Sequence, residues 1–142
     1  MTQEWICKTE AETASCAQDV GKTLPRKGVV CLYGNLGAGK TAFCRALIRS
    51  LMQNDELDVP SPTYTLVQNY DTPDRQIWHF DLYRLNHADD IYDLGWEDAV
   101  ADGLCLIEWP ERLAHLKPRQ TIDITIDVQP DQSRRIRVSG HD

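Results

Sequence analysis

Eight residues constrain this chain more than any others. Gly34 to Thr41 read GNLGAGKT, preceded by the apolar run VVCLY and followed by AFCRALIRSL. The octet matches G-x-x-x-x-G-K-[ST], the phosphate-binding P-loop. The chemistry accounts for the residue types. Glycines reach backbone conformations closed to other residues and let the main chain approach a ligand closely. Successive N–H groups then form a concave nest for an anion. The helix that follows adds its free N–H groups and the positive end of its dipole. Lys40 is placed to reach β- and γ-phosphates, and the Thr41 hydroxyl to bind Mg²⁺. A glycine-rich turn can also merely connect a strand to a helix, but a lysine at that helix start has little structural purpose without an anion.

The rest of the chain supplies elements that fit around such a loop. The 142 residues suit one domain spanning 1–142 with one core. Thr9 to Glu12 has capping-box spacing, and Ala11, Ala14, Ala17, Val20 and Leu24 recur at helical spacing, so a helix ends near residues 21–25. Val29 to Tyr33 reads as a strand covered on both faces. A helix runs from Gly39 or Lys40 to about Gln53, with Phe43, Leu47 and Leu51 on one stripe. Residues 63–70 and 76–84 alternate around the turn 71–75 and predict an antiparallel hairpin. In its second arm Trp78, Phe80 and Leu82 share one face; Ile77, His79, Asp81 and Tyr83 share the other. Short helices are predicted over 88–94 and 96–101, and a second buried strand over 104–107, stopped by Glu108-Trp109-Pro110. Residues 121–128 and 135–138 alternate around a turn at 129–133, a terminal hairpin with one wet face. The fold class is α/β, P-loop NTPase-like: a central, mostly parallel sheet with antiparallel hairpin strands and flanking helices.

A P-loop needs a carboxylate near its metal, commonly at the end of a neighbouring buried strand. Glu108, directly after Leu104 to Ile107, meets that pattern and would hold Mg²⁺ through water or orient an attacking water. Asp81 lies between Phe80 and Leu82, where an unpaired buried carboxylate is costly. A metal, Lys40, or a salt bridge to Arg84 would each relieve that cost. His79 faces the same way and reads as a satisfied structural histidine. Thr63 and Thr65 follow the Ser61-Pro62 turn, where hydroxyls can sense a γ-phosphate or complete a Mg²⁺ shell. No Asn-Lys-x-Asp base reader is present and no Asp-x-x-Gly follows the hairpin, so ATP is preferred over GTP.

The ordered set GNLGAGKT, SPTYTLV (61–67), HFDLYRL (79–85), LGWED (94–98) and IEWPE (107–111) resembles the bacterial TsaE (YjeE) family, small P-loop ATPases needed to make threonylcarbamoyladenosine in tRNA. The resemblance covers residues 29–111 and is carried chiefly by the two long strings. It implies binding of ATP and Mg²⁺, hydrolysis that is slow without partners, and action with the TsaD and TsaB proteins, the tRNA being met through those partners. It further implies that Asn35, Leu36, Gly37, Ala38, Gly39, Lys40, Thr41 and Ala42 cradle the phosphates. Asp81 and Glu108 act with Lys40 in catalysis, Thr41, Asp81, Glu108 and Thr63 serve the metal, and Trp109 supports Glu108. The first helix and terminal hairpin would wall the adenosine end through Thr9, Thr13 and Arg134 or Arg135. The family usually has Asp where this chain has Asn35, which bears on turnover more than on binding.

The net charge of -7 argues against a surface that neutralises nucleic acid by itself. It suits docking on basic patches of partners, and equally keeps a small protein soluble. The five cysteines form no C-x-x-C pair, which speaks against zinc or a disulfide framework and for a reducing, cytoplasmic setting. MTQEWICKTE lacks the pattern of a secretory signal. No arginine is evidently aimed at a γ-phosphate; Arg45 and Arg84 are candidates, as is a group from a partner. Two rival readings are a small-molecule kinase with residues 111–119 as a lid, and a nucleotide-binding scaffold that does not turn over.

Overall fold

A computed structural model describes residues 2–35 and 37–140. In chain order the elements are β1 (Thr2–Cys7), α1 (Glu10–Thr23), β2 (Gly28–Tyr33), α2 (Lys40–Met52), β3 (Val67–Asp71), β4 (Gln76–Asp81), α3 (Trp96–Asp102), β5 (Gly103–Glu108), β6 (Ile122–Val128) and β7 (Arg134–Gly140), with 3₁₀ segments at Ala88–Leu94 and Pro110–Leu116. The strands form one sheet in the order β1-β7-β6-β2-β5-β4-β3. The neighbours β4, β5, β2 and β6 run parallel, and β3, β7 and β1 add antiparallel edges.

The continuous apolar runs are explained by a core on each face of the sheet. On one face Val30 and Leu32 of β2, Leu104 and Leu106 of β5, and Ile124 and Ile126 of β6 meet α1 and α2 through Ala17, Val20, Phe43, Leu47 and Ile48. On the other, Val29, Cys31, Cys105, Ile107, Phe80 and Leu82 meet Ile91, Trp96, Ala99 and Leu113. Each fully buried aliphatic side chain contributes roughly 1.5–3 kcal/mol relative to exposure. Alternation along the strands therefore aims Ile77, His79, Asp81 and Leu104, Leu106, Glu108 at the face carrying α2. Asp81 and Glu108 end their strands as register partners.

Helix α1 begins as its cap predicts: the Glu12 N–H donates to Thr9 Oγ1 at 3.1 Å. The reciprocal bond lands one residue early, from the Lys8 N–H to Glu12 Oε1. One strand was not foreseen and one boundary is corrected. Thr2–Cys7, where the sequence pattern predicts no element, pairs with β7 along its whole length. The first hairpin arm begins at Val67, because a turn closed by the Leu66 N–H on the Pro62 carbonyl takes residues 62–66 out of the sheet. The short helix expected over 88–94 is present, wound as 3₁₀ and ended by Gly95 at φ 89°. Among the described residues no helix is long and apolar enough to cross a membrane.

Candidate active site

The loop between β2 and α2 is held at both ends. A Cβ on Gly34 would stand 2.7 Å from the Ile126 carbonyl oxygen, so only glycine lets the chain leave β2 this close to β6. Gly37 (φ 85°) and Gly39 (φ 105°) occupy the left-handed region. The Ala38 N–H donates to the Asn35 carbonyl at 2.9 Å, and Arg134 Nε donates to the Ala38 carbonyl at 3.0 Å. Helix α2 begins at Lys40 after Gly39 as N-cap, with no side-chain cap bond, so its first N–H groups lack intrahelical acceptors, and Gly39, Lys40, Thr41 and Ala42 line the cavity beside it. Leu36 lies outside the described residues.

Lys40 folds back over this loop. It is only 5% exposed; its Nζ donates to the Gly34 carbonyl at 2.7 Å and sits 3.3 Å above the Trp109 ring. Burial pushes its pKa down, against the upward pull of Glu108, Glu111 and Asp81. Trp109 presents its ring from a left-handed backbone (φ 59°) just before Pro110, and Tyr83 packs against it at 4.9 Å.

Beneath the head of α2, the Thr41 hydroxyl donates to Glu108 Oε1 at 2.8 Å, while Glu108 Oε2 meets His79 Nε2 at 2.7 Å. Asp81 accepts from the Tyr83 N–H at 3.1 Å and from the Thr63 hydroxyl at 3.3 Å; that hydroxyl also lies 2.6 Å from Ser61 Oγ. Burial raises the Asp81 pKa, and the neighbouring Glu108 adds to the effect. A cavity of about 410 Å³ opens over these groups, lined by Gly37, Gly39, Lys40, Thr41, Ala42, Thr63, Asp81, Tyr83, Arg84, Glu108 and Trp109. The donor set of two carboxylates and two hydroxyls is all oxygen, which fits a hard divalent cation such as Mg²⁺.

A second cavity of about 230 Å³ adjoins it across Gly39 and Ala42, and Thr9, Thr13, Ala38 and Arg134 line it with Cys7, Lys8 and Gln132. The sequence left Arg134 and Arg135 as alternatives. Strand alternation separates them: Arg134 grips the loop, while Arg135 turns to the opposite face and pairs with Glu4 at 2.9 Å. Thr65 stands apart from the cavity, accepting from Gln68. Arg45 is held by the Val59 carbonyl, whereas Arg84 stays at the mouth, stacked 4.6 Å over the 81% exposed Tyr64. His79, expected as a satisfied structural histidine, instead bonds Glu108 through Nε2 and leaves Nδ1 without a partner among the described residues; Tyr83, on the same side of the sequence pattern, lines the cavity. The lining from β1 was missed together with β1 itself.

A nest of amides opening α2 at the ends of parallel strands, with two carboxylates below it, defines a P-loop protein of the α/β class. The profile described as threonylcarbamoyl adenosine biosynthesis protein TsaE matches residues 7–136, and the chain belongs to that family. It is 37% identical to the tRNA threonylcarbamoyladenosine biosynthesis protein TsaE of Rickettsia bellii over 99% of this chain and 96% of the relative. It is 33% identical to the protein of that name from Aquifex aeolicus over 97% of this chain and 96% of the relative. The crystal structure of Bacillus subtilus YdiB shares the fold, with a TM-score of 0.77 at 23% identity over 99% of this chain and 86% of that one.

Proposed function

We propose that the chain binds ATP with Mg²⁺, hydrolyses it slowly by itself, and serves threonylcarbamoyladenosine formation in tRNA as a cytoplasmic, single-domain subunit working with TsaD and TsaB. The observation that carries the reading is the 2.8 Å contact between the Thr41 hydroxyl and Glu108, made directly under the loop that Lys40 covers. It joins the phosphate cradle to a carboxylate 67 positions away in sequence.

In this reading the loop amides and Lys40 hold the triphosphate, Thr41, Asp81 and Thr63 would hold the metal, and Glu108 would serve it through water. When bound, Mg²⁺ would supply positive charge to offset the charge that develops on the phosphate oxygens. Both Glu108 oxygens already accept hydrogen bonds, which favours a role for Glu108 toward water over direct ligation. The second cavity, with Thr9, Thr13 and Arg134, takes the nucleoside end. Arg84 is the in-chain cation nearest to a γ-phosphate role, since it alone of the two candidates lines the main cavity.

The test measures phosphate release by the purified chain alone, then with TsaD, TsaB and tRNA, while assaying for any phosphorylated acceptor. Turnover that rises with the partners and leaves no phosphorylated acceptor supports the reading. A phosphorylated product would make the protein a kinase, and absence of single-turnover hydrolysis under every condition would make it a scaffold. Glu108→Ala is expected to keep nucleotide affinity and lose turnover by about 100-fold or more. Wild-type modification of tRNA by that variant would remove Glu108 from the chemistry.

A further inference from the structure

Glu108 is held at two points, and only one belongs to the P-loop. Its Oε1 accepts from Thr41, and its Oε2 meets His79 Nε2 at 2.7 Å. A carboxylate anchored by one oxygen turns about its last side-chain bond; one anchored by both does not. Both partners are buried, His79 at 0% and Glu108 at 2% exposure, and of the two only Glu108 reaches the cavity wall. His79 Nδ1 is buried with no hydrogen-bond partner. A leucine would fill this apolar position without an orphaned nitrogen, so the ring's worth to the site lies in Nε2.

The same orphan fixes the tautomer. A bare lone pair at Nδ1 is less costly to bury than an unpaired N–H, which leaves the proton on Nε2, where Glu108 Oε2 accepts its hydrogen bond. Among the described residues, no other side chain hydrogen-bonds Glu108 Oε2. Asp81, on the same face of β4, is engaged by Tyr83 and Thr63, and Cys44 is a neutral thiol, its pKa pushed well up by burial.

We propose that His79 is a positioning residue: its Nε2–H locks the Glu108 carboxylate so that Oε1 stays on Thr41 at the phosphate site. The role rests on the ATPase reading above, and it acts through Glu108, since His79 does not line the cavity.

Three variants and one spectrum test it. Glutamine places an amide N–H near the position of Nε2; asparagine falls one atom short; leucine has no donor. With partners and tRNA present, His79→Leu and His79→Asn should lose kcat by about 10- to 100-fold with KM for ATP nearly unchanged, and His79→Gln should restore most of the loss. Asparagine and glutamine bury the same amide, so a matched loss in both, or wild-type kcat in His79→Leu, overturns the proposal. Imidazole nitrogen-15 spectra of the wild-type chain, with His79 assigned by its absence in His79→Gln, should show a protonated Nε2 and a bare Nδ1. A protonated Nδ1 overturns the proposal without reference to turnover. A wild-type chain that hydrolyses no ATP would sink the ATPase reading, while the nitrogen spectrum still decides the geometry.

Discussion

Lys40 carries its charge in an unusual setting, between the Gly34 carbonyl and the face of Trp109 with almost no contact with water. Burial lowers its pKa, and the nearby carboxylates of Glu108, Glu111 and Asp81 compensate the ammonium only in part. A phosphate would complete the compensation. Removing the amine in Lys40→Ala is expected to weaken ATP binding by roughly 10- to 100-fold, the worth of a charge-assisted hydrogen bond, with the fold intact. Calorimetric titration checks this, and unchanged affinity would mean that the loop does not receive the triphosphate. Lys40, Thr41 and Glu108 were legible because motif and strand end fix them. Asn35 is legible only in part: its main-chain carbonyl closes the loop on Ala38, a contact that Asn and Asp supply equally. The choice between Arg134 and Arg135 could be read from β7 itself, because Ile136 and Val138 turn inward and alternation puts Arg134 on their side; the contact of that side with the loop at Ala38 could not, because it depends on how β7 packs beside the loop.

At the level of elements, α3 meets the sheet by way of two glycines laid against one tryptophan. A Cβ on Gly103 would stand 2.5 Å from Trp78 Cδ1 and 3.0 Å from the Ala99 carbonyl; one on Gly95 would stand 2.9 Å from the same ring. Trp78 is in turn stacked on Phe80, and Phe80 meets Trp96 edge-on at 5.6 Å. Gly103 opens β5, the strand that ends in Glu108. Gly103→Ala should therefore destabilise the chain by about 1–3 kcal/mol through overpacking, lowering Tm by roughly 3–10 °C. Thermal melts check it, and an unshifted Tm would mean that Trp78 is free to move aside. The central strands and α1 and α2 were legible from periodicity and caps. The edges were not. In β1 only the Trp5 and Cys7 side of the alternation turns inward, and the outward Ile6, 51% exposed, blurs the pattern. Residues 63–66 alternate like a strand, yet Leu66 at φ 71° and the Pro62–Leu66 turn release Thr63 from the sheet to reach Asp81.

Across the whole molecule all five thiols are buried. Burial pushes Cys16, Cys31 and Cys105 up to about 12. Unfolding returns each to about 9, so above that pH the unfolded chain releases protons that the folded chain keeps, and stability falls as pH rises from 9 toward 12. Tyr33 and Tyr70, also raised by burial, act in the same direction from 10 upward. The lowered Lys40 opposes them up to 10.5. The expected outcome is a Tm that drops steadily above pH 9, with a shallower drop in Cys105→Ala, and alkylation of the native chain far slower than of the unfolded one. A flat profile, or rapid native labelling, would contradict the burial described. One further consequence follows from the grip of Arg134 on Ala38, 96 positions apart. The eight letters by which such proteins are found do not contain what shapes them: a shortened chain ending before β7 would keep every letter of the signature and surrender its clasp, so signature and competence can part company.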